Sequence, residues 1–97
     1  MYARTARYRI DPDRCDDAVE SFSEAGARIG ELDGFKGGYL LVDSENGDVM
    51  TLTFWESRAA LDSSDVRASS LRRDAVNTVE GSIESVARYD IVRDLGG

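Results

Sequence analysis

Histidine is absent from the 97-residue chain, and cysteine, tryptophan and proline each occur only once. Without histidine, the chain cannot build a Ser-His-Asp or Cys-His catalytic site, an ordinary zinc site or the usual imidazole ligand of haem iron. The lone cysteine, Cys15, excludes an intramolecular disulfide, which fits a cytoplasmic location. We therefore expect no metal site.

Long apolar runs and segregated positive charge are missing as well. No stretch approaches the roughly 20 apolar residues that span a bilayer, and the opening "MYARTARYRI" has charges where a signal peptide needs an apolar run. The net charge is −7, with most arginines scattered among acidic residues, so nucleic acid and anionic membranes should be repelled. We expect neither as a partner. The length predicts a single domain over residues 1–97.

Alternating and helical patterns follow one another in the order βαββαβ. The first helix should begin at Asp11 as N-cap with Pro12 in its first turn, and Gly30 should end it. The second helix should follow Ser57, with an interruption at 62–65, "DSSD". Alternating apolar residues predict the four strands, which are 2–10, 35–43, 49–55 and 82–92.

This order predicts an α+β, ferredoxin-like plait, in which two helices cover one face of an antiparallel sheet. The dipeptide Asn46-Gly47 predicts a hairpin between the second and third strands. Because side chains alternate along a strand, Met50, Leu52 and Phe54 are expected to face the helices.

The second face of the sheet is predicted to be mixed rather than polar, which favours a face-to-face homodimer. Trp55 is expected there as an interface anchor. Arg7 and Arg9 are expected to pair with Glu84, Asp90 or acids of the partner, and anion binding is the alternative. The predicted interface residues are Arg7, Arg9, Thr53, Trp55 and Val86.

The chain resembles a known family over residues 2–92. The βαββαβ order, "GF" before the second strand and "TLTFWESRAAL" leading into a helix resemble the antibiotic-biosynthesis-monooxygenase group of the dimeric α/β-barrel proteins. The resemblance implies a homodimer whose two sheets close into a barrel. It also implies oxygenation of quinol-like aromatic polyketides with no metal, flavin or other cofactor, whereas some relatives degrade haem.

The haem-degrading branch can be tested at three positions. That branch carries an asparagine on strand one, a tryptophan on helix two and a histidine ten residues further on. The corresponding positions are Ala6, then Asp62 or Ser64, then Leu71 or Asp74. All three chemical groups are missing, so haem degradation is not expected.

A cofactor-free pocket between sheet and helices is the remaining candidate site. Arg4 is expected near Tyr89, where a cation beside a phenol could stabilise a substrate enolate or phenolate; these two are the catalytic candidates. The alternative is an aromatic core from which Arg4 reaches solvent. The expected pocket residues are Tyr8, Phe22, Phe54 and Leu61.

Two functions follow from this sequence. The first is a cofactor-independent monooxygenase acting on a small, electron-rich aromatic substrate. The second is a non-catalytic dimeric module that binds a small hydrophobic molecule, for example in a stress response.

Overall fold

The computed structural model of the protein describes all residues 1–97. It has four strands and two helices in the predicted order. The elements are β1 (Tyr2–Arg9), α1 (Cys15–Ile29), β2 (Phe35–Asp43), β3 (Asp48–Trp55), α2 (Arg58–Thr78) and β4 (Ser82–Asp90).

The strands form one antiparallel sheet in the order β2-β3-β1-β4. Helices α1 and α2 pack against each other, and their buried residues join those of the sheet in one core. The predicted α+β ferredoxin-like fold is confirmed. None of its helices combines the length and the apolar character needed to cross a membrane.

The beginning of α1 follows the sequence signals closely. The Asp11 carboxylate accepts a hydrogen bond from the N–H of Asp13 at 2.9 Å, and Pro12 opens a 3-10 turn that leads into α1. The helix ends at Ile29, one residue before Gly30. The predicted end of the helix is therefore confirmed, whereas the predicted N-cap belongs to the 3-10 turn, and α1 itself begins three residues later than expected, at Cys15.

The predicted interruption of α2 is wrong, because α2 is a continuous helix of 21 residues. The Ser64 hydroxyl donates to the carbonyl of Leu61 at 2.7 Å, so it bonds within the helix instead of starting a new one. Asp62 and Asp65 form ion pairs with arginines of the sheet. The polar run is compatible with a helix because the sheet supplies its counter-charges.

The β2–β3 hairpin turns at Asn46-Gly47, as predicted. Gly47 has φ +71°, and a Cβ there would collide with the carbonyl oxygen of Ile10. Glycine is therefore required at this turn by both its backbone conformation and its close approach to the chain.

The pairing register reverses the predicted faces of β3. Trp55 pairs with Tyr2 and Val49 with Tyr8. Cross-strand partners share a face, and Trp55 is 0% exposed, with its ring 5.4 Å from that of Phe35. Trp55 and Thr53 therefore lie on the helix-covered face, not on the interface where they were predicted.

The error has a physical reason. The prediction took the more apolar face of β3 for the core side, but in this sheet that face points away from the helices. Phe54 lies there, with its ring 6.1 Å from that of Tyr39, a residue that is 67% exposed. The prediction that Phe54 lines the helix-side pocket is therefore also wrong.

The faces of β4 differ from the prediction because of a β-bulge. The register of β1 with β4 shifts between Arg7 and Tyr8. The alternation of side chains between the two faces of β4 is therefore reversed from one side of the bulge to the other. Tyr89 consequently lies on the uncovered face, and Val86 lies on the helix side of an edge strand. The relevant pairs are Tyr89 with Ala3, Val86 with Ala6 and Ile83 with Tyr8.

The uncovered side of the sheet, here called the open face, is largely apolar. Arg9 lies at its border, where it forms ion pairs with Asp48 at 2.9 Å and with Glu84 at 3.5 Å. Arg7 is exposed on the same face. The large apolar residues of the open face are Tyr39, Leu41, Met50, Leu52, Phe54 and Tyr89.

These faces predict different effects for two neighbouring substitutions. Trp55→Ala should lower the free energy of unfolding by about 3–5 kcal/mol, because it removes a fully buried aromatic side chain. Phe54→Ala should lower it less, because Phe54 lies on the open face, and should mainly change self-association. Urea unfolding and light scattering measure the two effects. A larger loss of stability in Phe54→Ala would contradict the observed register.

Candidate functional site

A cavity of about 280 Å³ lies between α1 and the β2–β3 half of the sheet. Small residues on both walls leave room for it. Its apolar wall is formed by Phe22, Ala25, Ile29, Phe35 and Leu40, and its polar side chains are Tyr8, Ser23, Thr51, Thr53 and Arg72.

Arg72 is the most unusual residue of the cavity. Its side chain comes from α2 and is only 8% exposed, yet its Nε has no hydrogen-bond partner. None of the ion pairs of the molecule includes it. Burial lowers the pKa of Arg72, and only the attraction of Tyr8 opposes this shift. An uncompensated buried cation is costly, so the cavity offers a strong site for an anionic group.

Tyr8 places a second polar group in the cavity. Its hydroxyl lies 3.2 Å from Oγ1 of Thr51, and its ring centroid is 4.4 Å from that of Phe22. Burial raises the pKa of Tyr8, although the hydrogen bond with Thr51 and the charges of Arg72 and Arg4 act in the opposite direction. Tyr8 is therefore a neutral hydroxyl at physiological pH, able to donate or accept a hydrogen bond.

Arg4 is a second buried guanidinium, but it is held by α2 and does not line the cavity. It donates to the carbonyl of Leu61 and to Oγ of Ser64, both at 2.9 Å, and forms an ion pair with Asp65. Its Cζ lies 5.5 Å from the ring centroid of Trp55. Burial, together with repulsion from nearby arginines, lowers the pKa of Arg4 to about 10, so it remains charged at neutral pH.

Arg88 completes the connection between the sheet and α2. It pairs with Arg4 across β1 and β4 and forms ion pairs with Asp62 at 2.6 Å and with Asp65. Asp65 thus contacts both arginines. This network joins the sheet to the N-terminal half of α2 and gives Arg4 a structural role.

The structure separates most of the predicted site residues. Tyr8 and Phe22 lie along the cavity, and so does Thr53, which was expected at the interface. Leu61 is buried in the core beside Arg4. Arg4 and Tyr89 lie on opposite faces of the sheet, so the predicted catalytic pair does not form.

Several residues of the cavity were missed from the sequence, and Arg72 and Thr51 matter most among them because they supply polar groups. A signal for Arg72 was present, because it lies four residues after Ala68 and four before Val76, on the buried stripe of α2. A charged residue on such a stripe requires either a partner or a ligand. No signal of this kind marks Thr51, whose role depends on the face of β3. The fold forms no cluster of three or more potential metal-ligating residues.

Comparisons with known proteins point to one family. The sequence model described as antibiotic biosynthesis monooxygenase matches residues 1–70. No curated protein matches the chain at a significant level.

Solved structures of related fold were also found. A candidate antibiotic biosynthesis monooxygenase from Deinococcus radiodurans has a TM-score of 0.76 at 12% identity, over 99% of this chain and 97% of that chain. SnoaB, a cofactor-independent oxygenase from Streptomyces nogalater, has a TM-score of 0.74 at 13% identity, with the same coverage of 99% and 97%. A Nitrosomonas europaea protein has a TM-score of 0.72 at 11% identity, over 96% and 100%. At these identities the structures establish a shared fold.

The environment of Tyr8 gives a prediction for alkaline pH. Absorbance titrations of wild type and Tyr8→Phe should differ by the signal of one phenol. That phenol should ionise above the ordinary pKa of about 10. Since folding raises this pKa, the unfolded chain loses the proton first, and wild type should lose stability relative to Tyr8→Phe as the pH rises through about 10. Tyr39→Phe, which removes an exposed phenol, is the control. A difference titration at or below the ordinary pKa would contradict the buried position of Tyr8.

Proposed function

Because the chain belongs to the antibiotic biosynthesis monooxygenase family, we propose that it is a cofactor-independent monooxygenase acting on a small, electron-rich aromatic substrate. The reaction would take place in the cavity beside Arg72. The observation that carries this proposal is a buried guanidinium without a counter-ion, placed in a largely apolar cavity.

The chemistry needs a substrate that supplies its own electrons. A quinol-like substrate with an activated CH₂ loses a proton to water and becomes an enolate. The enolate carbon forms a bond with O₂, the peroxide anion takes a proton back from water, and the resulting hydroperoxide loses water to leave a carbonyl group. One oxygen atom enters the product and the other leaves as water, so no external reductant is required.

The role of Arg72 in this scheme is electrostatic. Its charge stabilises the enolate oxygen and therefore lowers the pKa of the bound substrate. The effect is strengthened because the side chain is buried, where water screens charges less. The Tyr8 hydroxyl and Oγ1 of Thr51 are close enough to each other to bind neighbouring substrate oxygens, and Phe22 and Phe35 supply an apolar surface for the ring.

Oxygen uptake tests this function. Wild type should consume oxygen with substituted naphthoquinols, whose keto tautomers carry the activated CH₂, and Arg72→Met should lower kcat by on the order of 100-fold, the usual effect of losing an oxyanion-stabilising group. Arg73→Met is a matched control, because Arg73 is the next residue of α2 and is exposed. Binding of these substrates without oxygen uptake would instead favour a non-catalytic ligand-binding module.

We also propose that the protein is a homodimer, formed by packing the open faces of two copies together. Three aromatic or aliphatic residues support this surface most directly, because Tyr39, Leu41 and Tyr89 are 67%, 48% and 57% exposed. A contiguous apolar surface of this kind marks an interaction site, and the same face on two copies forms a self-complementary interface. A cytoplasmic location is proposed as well, on the basis of the single cysteine.

The dimer can be tested without disturbing the core. Light scattering of wild type should give twice 10.7 kDa. Leu41→Lys should give a folded monomer, because it places a charge within the proposed interface, while Leu41 is 48% exposed and contributes little to the core. Val66→Lys is the control, since Val66 is 85% exposed on α2. A wild-type monomer at micromolar concentration, or an unchanged dimer in Leu41→Lys, would refute this interface.

A further inference from the structure

Gly26 lies inside α1, where glycine is an unfavourable residue. Two common reasons for a helical glycine do not apply to it. Its φ is not positive, and a Cβ built on it meets no atom within 4 Å. Gly38, on the facing strand, differs in this respect, because a Cβ there would lie 2.6 Å from the carbonyl oxygen of Leu52. The fold requires glycine at position 38 but not at position 26.

The position of Gly26 relates it to the cavity. It follows Phe22 by four residues and precedes Ile29 by three, so the three residues share one face of α1. All three line the cavity. Since Gly26 itself is exposed, it lies where the cavity opens to solvent. A side chain at this position would extend over the opening and take up space that is now empty.

The contents of the cavity restrict the ligand that could use this space. Arg72 provides one buried positive charge without a partner. This charge favours a ligand that carries one anionic group. The rest of the wall is mainly apolar or aromatic. A cavity of about 150 Å³ holds benzene, so the observed 280 Å³ is large enough for about two fused rings.

We propose that Gly26 is a specificity-determining residue, whose missing side chain admits the second ring of a two-ring aromatic anion held at Arg72. The anionic group is a carboxylate or a phenolate, and the first ring lies beside Phe22 on the cavity wall. The second ring passes below Gly26 towards the opening. This inference uses the same cavity as the proposed function and deepens it by naming the size and charge of the substrate.

Calorimetric titration with 2-naphthoate and benzoate tests the proposal. Wild type should bind 2-naphthoate about tenfold more tightly than benzoate. Gly26→Leu should weaken 2-naphthoate binding at least tenfold and change benzoate binding by less than about threefold, with Gly26→Ala intermediate. Arg72→Met should weaken the binding of both. These fold-changes correspond to the burial of one further ring against an apolar wall.

Ala27→Leu is the matched control, because it adds the same side chain to the next, exposed position of α1. It should leave both affinities unchanged. Thermal unfolding of Gly26→Leu should show a midpoint at or above that of wild type, since leucine is the better helix former. If that midpoint falls instead, Gly26→Ala carries the test, and an unchanged 2-naphthoate affinity in it overturns the proposal.

Three further results would overturn the proposal: no preference of wild type for 2-naphthoate, an unchanged 2-naphthoate affinity in Gly26→Leu, or an equal loss of both ligands in that variant. The outcome is separable from that of the oxygenase proposal. Selective 2-naphthoate binding without oxygen uptake from a quinol would refute only the oxygenase. Oxygen uptake without selective binding would refute only the role of Gly26.

Discussion

The alternation of side chains along β3, fixed by its pairing with β1, is the constraint on which the rest of the structure depends. Because Trp55 pairs with Tyr2 and Val49 with Tyr8, every second residue of β3 is committed to the helix side. A shift by one residue would expose Trp55 and bring Phe54 into the core. The contents of the cavity and the apolar character of the open face both follow from this register.

The two buried arginines differ in how far their positive charges are compensated by neighbouring groups. Arg4 leaves its Nε and Nη1 without hydrogen-bond partners, but its Nη2 forms an ion pair and two further hydrogen bonds to α2, and the ring of Trp55 lies nearby, so its charge is compensated within the fold. Arg72 has no such partners, although both belong to the same helix–sheet layer. Burying a charge without a partner is unfavourable for folding. The contrast identifies Arg4 as structural and Arg72 as the group available to a ligand.

The helices, the strands and their order could be predicted from the sequence, because capping residues, glycines and hydrophobic periodicity act locally. Ser57 and Gly47 take the predicted roles, and Asp11 caps the 3-10 turn that leads into α1. The faces were not predictable in the same way. Hydropathy indicates the core side of a strand only when one face is polar, and β3 has apolar residues on both. In β4, one bulge reverses the alternation, and no local residue type marks it. The predicted pair of Arg4 and Tyr89 failed for this reason.

The composition of the two faces explains why a cavity exists at all. The helix side of β3 carries Thr51 and Thr53 between its larger residues, whereas the opposite side carries Met50, Leu52 and Phe54. Smaller and partly polar residues inside, together with Ala25 and Gly26 on α1, leave space that the core does not fill. Unfilled space weakens a small domain, and a chain of 97 residues has a limited core. Burial of the apolar open face in a dimer would offset that loss, so the same register that creates the cavity also provides the surface able to stabilise it.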